Sequence, residues 1–265
     1  MKTFTKAQLI DQLKTIVKSG WIESTSNPGD AAIGRTLEDC LGIEENNLPI
    51  PNASEWELKA KRLGSRALTT LVHPEPSPRA VKIVPSLLLP NYGWPHKSAG
   101  LKYPENEMSL RLTLKCDQRT DRGFTFAIDR ENERIMVSFD HQSVGEHHNE
   151  WMQGVKRKVG LGDLNPNPYW GFEDLYAVIR RKLTNCFFVE GDKKKINGIE
   201  HFWYRRVTML ESFNFEKFLT VASEGGVAVD FDARTGHNHG TKFRVESNRF
   251  SDLYERSAIV IDDVA

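Results

Sequence analysis

Cysteine is scarce: Cys40, Cys116 and Cys186 are the only three, and they lie far apart. An odd, scattered set excludes a disulfide framework and a four-cysteine zinc site, and it fits a reducing cytoplasm. Long apolar runs are missing as well. No stretch of 18 apolar residues exists, so no transmembrane helix is expected. The opening MKTFTKAQLIDQLK carries polar residues where a secretory leader needs an apolar block, so no secretory targeting is expected. Net charge is also absent, because 36 basic residues balance 36 acidic ones. That opposes a protein that holds nucleic acid by bulk charge alone. No internal repeat and no low-complexity linker interrupts the chain.

What is present is ordinary globular material. The chain has 265 residues, 39% hydrophobic and 27% charged, enough for one large domain or two small ones with a full core. Charge is uneven locally. Gln153 to Arg206 holds eleven Lys/Arg against six acids. A solvated surface and a phosphate-facing surface both accommodate that excess.

Helical spacing of Leu9, Ile10, Leu13, Ile16 and Val17 predicts a helix over about 6–18. Thr5 and Gln8 form its capping box, and Gly20 stops it. A second helix is predicted over 32–43. EWELKAKR alternates as a strand, with Trp56 and Leu58 on one face and Glu55, Glu57 and Lys59 on the other. LTTLVH (68–73) is a second strand, and the proline-dense 74–104 stretch is irregular. Hairpins are predicted from FTFAI and RIMVSF, and from CFFVE and HFWYRRVTML crossing at GDKKKING. Residues 172–183 and FNFEKFLTVA are helical, and VAVDF and KFRVE bracket a loop, ARTGHNHGT. This order favours an α/β or α+β protein with a mixed sheet.

Chemistry points first to Glu57 and Lys59, two apart on one strand face and so about 6–7 Å from each other. Glu38 lies upstream on a helix, and Asn52 precedes Glu57 by five residues. A metal-dependent phosphodiesterase needs hard oxygen ligands for Mg²⁺ and a lysine beside them. The nuclease pattern PD-(D/E)xK packages those parts. By itself an E-x-K triplet is common, and an exposed Glu–Lys contact is its ordinary explanation.

The wider context narrows the reading. IGRTLEDCLGIEENNLPIPNASEWELK, over Ile33 to Lys59, resembles the MvaI/BcnI restriction endonucleases and their mismatch-repair relative MutH. The shared pattern is a helix IG-x-x-(L/F)E, a connection (E/Q)-(E/D)-N-(N/L), an acid, then E-(L/I)-K. An amphipathic helix ending in SGW, the segment LTTLVHPEP and the late GHNHGTKFRV resemble further family elements, in the same order, from residue 6 to about 246.

The resemblance implies a single-chain MutH-like nuclease core with a mixed β-sheet flanked by helices and a DNA cleft between two lobes. The lobes would be a catalytic one over roughly 1–140 and a recognition one over roughly 150–250. It implies that Glu38 supports the metal network, that Glu57 is a metal ligand and that Lys59 is the catalytic lysine. Asn52 stands at the position of the motif's first acid, a metal ligand with Glu57, where the family carries an Asp. An amide offers a neutral oxygen and no charge. Three explanations stay open: a variant made to bind without cutting, a naturally inactive homologue, or Glu55 supplying the missing carboxylate. For DNA, the resemblance implies that His73 and His237 read bases, with Asn238, His239 and Arg244 close by. Arg234 and Lys242 would contact phosphates.

The implied activity is that of a type II restriction endonuclease. It would hydrolyse double-stranded DNA with Mg²⁺ at a short G·C-rich site of the CC-x-GG kind. It would act as a monomer by sequential nicking, in the cytoplasm, alongside a cognate DNA methyltransferase. The alternatives are a DNA-binding homologue without catalysis and a MutH-like repair nicking enzyme. His147-His148, in the polar stretch SVGEHHNEW, is read as surface loop, because adjacent histidines pair poorly on one metal.

Overall fold

The structure is a computed structural model that describes all residues except 1–3, 30, 44–54, 117 and 265. In chain order its elements begin α1 (Lys6–Lys18), β1 (Ile22–Glu23), α2 (Ala32–Leu41), β2 (Glu57–Arg62) and β3 (Leu68–Val72). Then come α3 (Leu89–Tyr92), β4 (Trp94–Pro95), β5 (Met108–Leu114), β6 (Arg122–Asp129) and β7 (Arg134–Val144). Next are α4 (Asn149–Val159), β8 (Tyr169–Gly171), α5 (Phe172–Leu183), β9 (Asn185–Ile196) and β10 (Ile199–Phe213). The last are α6 (Phe215–Ser223), β11 (Val227–Arg234), β12 (His237–Glu246) and β13 (Tyr254–Asp262). The α/β composition with mixed sheet pairing is as the sequence predicts.

The chain forms two compact units, each assembled from separated stretches. The first takes Met1–Thr69, Val178–Lys217 and Glu246–Ala265. The second takes Thr70–Ala177 and Phe218–Val245.

In the first unit, four strands run β1-β10-β9-β2, and β13 also pairs with β10. All these pairings are antiparallel except β2 with β9, which is parallel and sets Glu57 opposite Cys186 and Lys59 opposite Phe188. The helices cover one sheet face for the reason their periodicity gives. Leu9, Leu13, Ile16 and Val17 of α1 and Ile33, Leu37 and Leu41 of α2 are buried with Leu58, Phe187 and Tyr204. The α1 cap is the expected box, with the Thr5 side chain accepting from Gln8 N–H and the Gln8 side chain accepting from Thr5 N–H. The Tyr204 hydroxyl donates to the Ile33 carbonyl at 2.7 Å, so the sheet grips the first turn of α2. Leu58 enters this core, and strand alternation turns Glu57 and Lys59 to the opposite face.

The second unit holds the sheet β3-β12-β11-β5-β4 and the smaller sheet β6-β7-β8. Phe231, Phe243 and Trp170 are buried within it, the Trp170 and Phe243 rings meeting edge to face at 5.0 Å.

Several local expectations are corrected. ARTGHNHGT is not a free loop, because β11 and β12 run on to a tight turn at Thr235-Gly236 and His237, Asn238 and His239 are the first residues of β12. GDKKKI is strand, and the β9–β10 crossing is only Asn197-Gly198, both at positive φ (50° and 84°). That pair suits a primed two-residue turn, whose twist matches the strands. SVGEHHNEW is not all loop either. Glu146–His148 form a 3₁₀ turn and α4 starts at Asn149. Glu55 lies in a turn ahead of β2, exposed, and does not share the strand face of Glu57.

Candidate active site

Strand β2 delivers the key pair. The Glu57 side chain is only 1% exposed, and Lys59 Nζ donates to its Oε1 at 2.6 Å. A second ammonium converges on that oxygen from the last turn of α5, with Lys182 Nζ 3.5 Å away. A buried carboxylate must be compensated, and here two cations do so.

The surroundings tune the lysine. Burial alone would lower the Lys59 pKa. The field and hydrogen bond of Glu57, helped by the fields of Cys186 and Glu38, outweigh it and hold the ammonium above its ordinary value. Lys59 therefore acts as a cationic donor at neutral pH. Behind the pair, burial and the Glu57 charge push the Cys186 thiol far up, so it stays protonated. The Tyr254 hydroxyl is raised for the same reasons, by burial first and then by Cys186 and Glu57.

The sequence-derived residues thus separate into groups. Glu57 and Lys59 are in direct contact. Glu38, half-buried on α2, acts on Lys59 through its field. Asn52 lies outside the described residues. Glu55 borders a different hollow with Phe4, Lys6 and Glu211. Lys182, Cys186 and Tyr254 were invisible in the sequence, because the end of α5, the parallel β2–β9 register and the β10–β13 pairing bring them to Glu57. No local pattern marks them.

The donor chemistry fits a hard divalent cation. Glu57 supplies a buried carboxylate oxygen, and a second carboxylate, that of Glu38, is close enough to act on the same lysine.

The second unit gathers the base-reading candidates. His73 follows β3 and is exposed, as are His237, Asn238 and His239. Strands β3 and β12 are neighbours in one sheet. Glu75 ties the segment after His73 to β12, its Oε1 accepting from the Thr241 N–H at 2.9 Å and its Oε2 from Asn238 Nδ2 at 3.5 Å. The His237 and His239 rings meet edge to face, with Nε2 and Nδ1 3.3 Å apart. Three cations of the set have acidic neighbours. Arg234 donates to Glu107 at 2.9 Å and lies over the Tyr103 ring. Arg244 donates to Asp230 at 2.8 Å, and Lys242 sits opposite Asp230 in the β11–β12 register. Arg234 and Arg244 are thus held in place by carboxylates.

Part of the basic excess between Gln153 and Arg206 is likewise paired. Lys193 meets Glu200, Arg205 meets Asp192 and Asp263, and Arg206 meets Asp262.

Comparison with known proteins decides the family. The family model described as the MvaI/BcnI restriction endonuclease family matches residues 10–254. The chain belongs to the MvaI/BcnI restriction endonuclease family. Membership makes it a type II site-specific deoxyribonuclease in kind. Two solved structures share its fold. One is the restriction endonuclease MvaI–cognate DNA substrate complex, at TM-score 0.77 and 19% identity, covering 98% of this chain and 100% of that one. The other is MvaI in the absence of DNA, at TM-score 0.55 and 20% identity with the same coverage. No curated protein matches the chain. Glu57, Lys59 and Glu38 all lie inside the span matched by the MvaI/BcnI model.

Proposed function

We propose that this MvaI/BcnI-family chain is a Mg²⁺-dependent nuclease that cuts duplex DNA at a short G·C-rich site of the CC-x-GG kind. It acts as a monomer, nicking one strand and then the other. The observation that carries this reading is the buried Glu57 carboxylate clasped by Lys59 at 2.6 Å. A carboxylate kept out of water beside a fixed ammonium is costly for the fold and suits phosphate chemistry. Glu57, with the position of Asn52, would hold Mg²⁺, and bound Mg²⁺ supplies an acidified water and offsets charge on the phosphate. Lys59 donates to a non-bridging phosphate oxygen and orients the attacking water. Lys182 keeps Glu57 charged when Lys59 turns to the phosphate. Glu57, helped by the field of Glu38, holds Lys59 protonated.

In the same reading the first unit is catalytic and the second reads sequence. His73, His237, Asn238, His239 and Arg244 contact base edges, and Arg234 and Lys242 set the register on the backbone. A cognate methyltransferase in the same cytoplasm would protect the host's sites.

Asn52 favours a second reading, binding without cleavage, because an amide leaves the cation with one charged ligand fewer. Plasmid carrying CC-x-GG variants, digested with Mg²⁺ by this protein and by its Asn52→Asp form, separates the two. Discrete fragments from the Asp form alone establish a nuclease that lacks one ligand in this chain. Lys59→Ala in that background should abolish cutting while DNA stays bound. A Lys59→Ala protein that still cuts refutes the site. No cleavage by either form, with DNA retained, supports the binding reading.

A further inference from the structure

Outside the Glu57 site, the second unit carries a cluster that the nuclease reading does not use. Asp121 precedes β6, and His147 and His148 belong to the 3₁₀ turn after β7. One carboxylate oxygen and one nitrogen from each imidazole all lie within 4.8 Å of one another. We propose that Asp121, His147 and His148 bind a divalent transition-metal ion of the zinc class.

Local geometry explains how two adjacent histidines converge with an acid 26 residues upstream. Neighbours on a strand point to opposite faces, whereas the three residues per turn of a 3₁₀ turn set consecutive side chains about 120° apart, less opposed than on a strand. The two imidazole rings are 4.0 Å apart, tilted by 47°. His147 Nε2 is 3.8 Å from Asp121 Oδ2. The backbone locks the partners: Gly145 N–H donates to the Asp121 carbonyl and His148 N–H to the Gly145 carbonyl, each at 2.8 Å. Gly123 adds a further constraint. It sits at φ +76° in the irregular register between Arg122 and Phe124, and a Cβ there would meet the Asp140 carbonyl oxygen at 2.2 Å. That bulge sets the direction in which the chain reaches Asp121.

Ligand chemistry selects the ion. Two imidazoles and one carboxylate suit zinc, nickel or copper, whereas magnesium and calcium need more oxygens. Tetrahedral zinc with bonds of about 2.0–2.1 Å places its ligand atoms roughly 3.4 Å apart. Closing to that spacing calls for adjustment of the Asp121 and His147 side chains, both of which are exposed. Arg122 adjoins Asp121 in the chain. The Arg122 guanidinium is itself occupied over the Trp94 ring at 4.0 Å and the Trp151 ring at 5.4 Å. Its charge and the exposure of the cluster make the site a modest binder. A bound ion would tie the start of β6 to the start of α4, whose cap residue His148 makes no side-chain capping hydrogen bond.

The test titrates the full chain with ZnCl₂ by calorimetry, and with NiCl₂ while following tryptophan fluorescence. The Trp151 ring is 6.4 Å from that of His148, within quenching reach of a bound nickel ion. Glu57→Gln serves as the background in which the nuclease cation site is disabled. One zinc per chain is expected in both the parent and Glu57→Gln forms, not displaced by millimolar Mg²⁺. His147→Ala/His148→Ala should weaken binding at least tenfold and abolish quenching, with Asp121→Asn weakening it several-fold. Circular dichroism confirms that each variant is folded. Zinc affinity unchanged by the double histidine substitution, zinc binding lost only with Glu57→Gln, or no zinc bound by the parent would each overturn the proposal. None of these outcomes depends on whether the protein cleaves DNA.

Discussion

Two lysines on one buried carboxylate make a prediction about energetics that needs no substrate. Lys59 and Lys182 converge on Glu57 Oε1 at 2.6 and 3.5 Å, with side chains 19% and 27% exposed against 1% for Glu57. Removing one partner of a buried pair costs about 3–5 kcal/mol when the other charge is left uncompensated. Here a single substitution leaves Glu57 with its second cation, and both lysines keep some water. Lys59→Met should therefore cost about 1–2 kcal/mol, and Lys182→Met about 1 kcal/mol, discounted for partial exposure. The double substitution takes both of these cations from the buried carboxylate and should cost about 3–5 kcal/mol, a coupling of about 1–2 kcal/mol beyond the sum of the singles at mid-range. Adding Glu57→Gln to the double variant removes the buried charge and should recover most of the loss. Urea denaturation of the four variants measures these differences, with constant m-values as the check that the denatured states are alike. Single effects that add to the double effect within about 0.3 kcal/mol, or a triple variant no more stable than the double, would refute the shared clasp.

Tyr204→Phe should cost about 1–1.5 kcal/mol by deleting the buried hydrogen bond to the Ile33 carbonyl, and it should lower the melting midpoint by a few degrees. A shift below one degree would show that α2 is held by apolar packing alone. Asp129 is held below the ordinary carboxylate range by the backbone and side chain of Asn132 and then by Arg134. A depressed pKa contributes stability above the unfolded value that is lost as pH falls through the folded one. The parent should thus lose more stability than Asp129→Asn between pH 5 and about pH 2.5, and parallel pH profiles would count against the turn network.

Much of the first unit was legible because its elements are locally consistent. The α1 face, its Thr5–Gln8 box and the alternation around Leu58 all specify the same packing. The Glu57–Lys59 pair was legible too, since two residues on one strand share a face wherever the strand goes. Lys182, Cys186 and Tyr254 were not. Their proximity to Glu57 depends on elements far apart in sequence, the parallel β2–β9 pairing, the end of α5 and the β10–β13 pairing, which no local period encodes. The GHNHGT segment failed for a different reason. Its glycines and polar residues suggest a loop, but Gly236 serves a tight turn and the polar residues face water from the end of a strand. Asp121 was missed as a partner of His147 because the sequence shows the histidines adjacent and the acid remote.

The parallel pairing of β2 with β9 also has a consequence during synthesis. A ribosome adds about 5–20 residues per second. The E-L-K segment therefore leaves the tunnel several seconds before Cys186 and Phe188, the residues that Glu57 and Lys59 must face, and longer still before Tyr254. Throughout that interval the nascent chain carries the reactive triplet with no strand beside it and no α5 lysine against it. A polysome making this protein is thus loaded with incomplete copies of the site, and the pairing that assembles it becomes available only when most of the polypeptide has been translated.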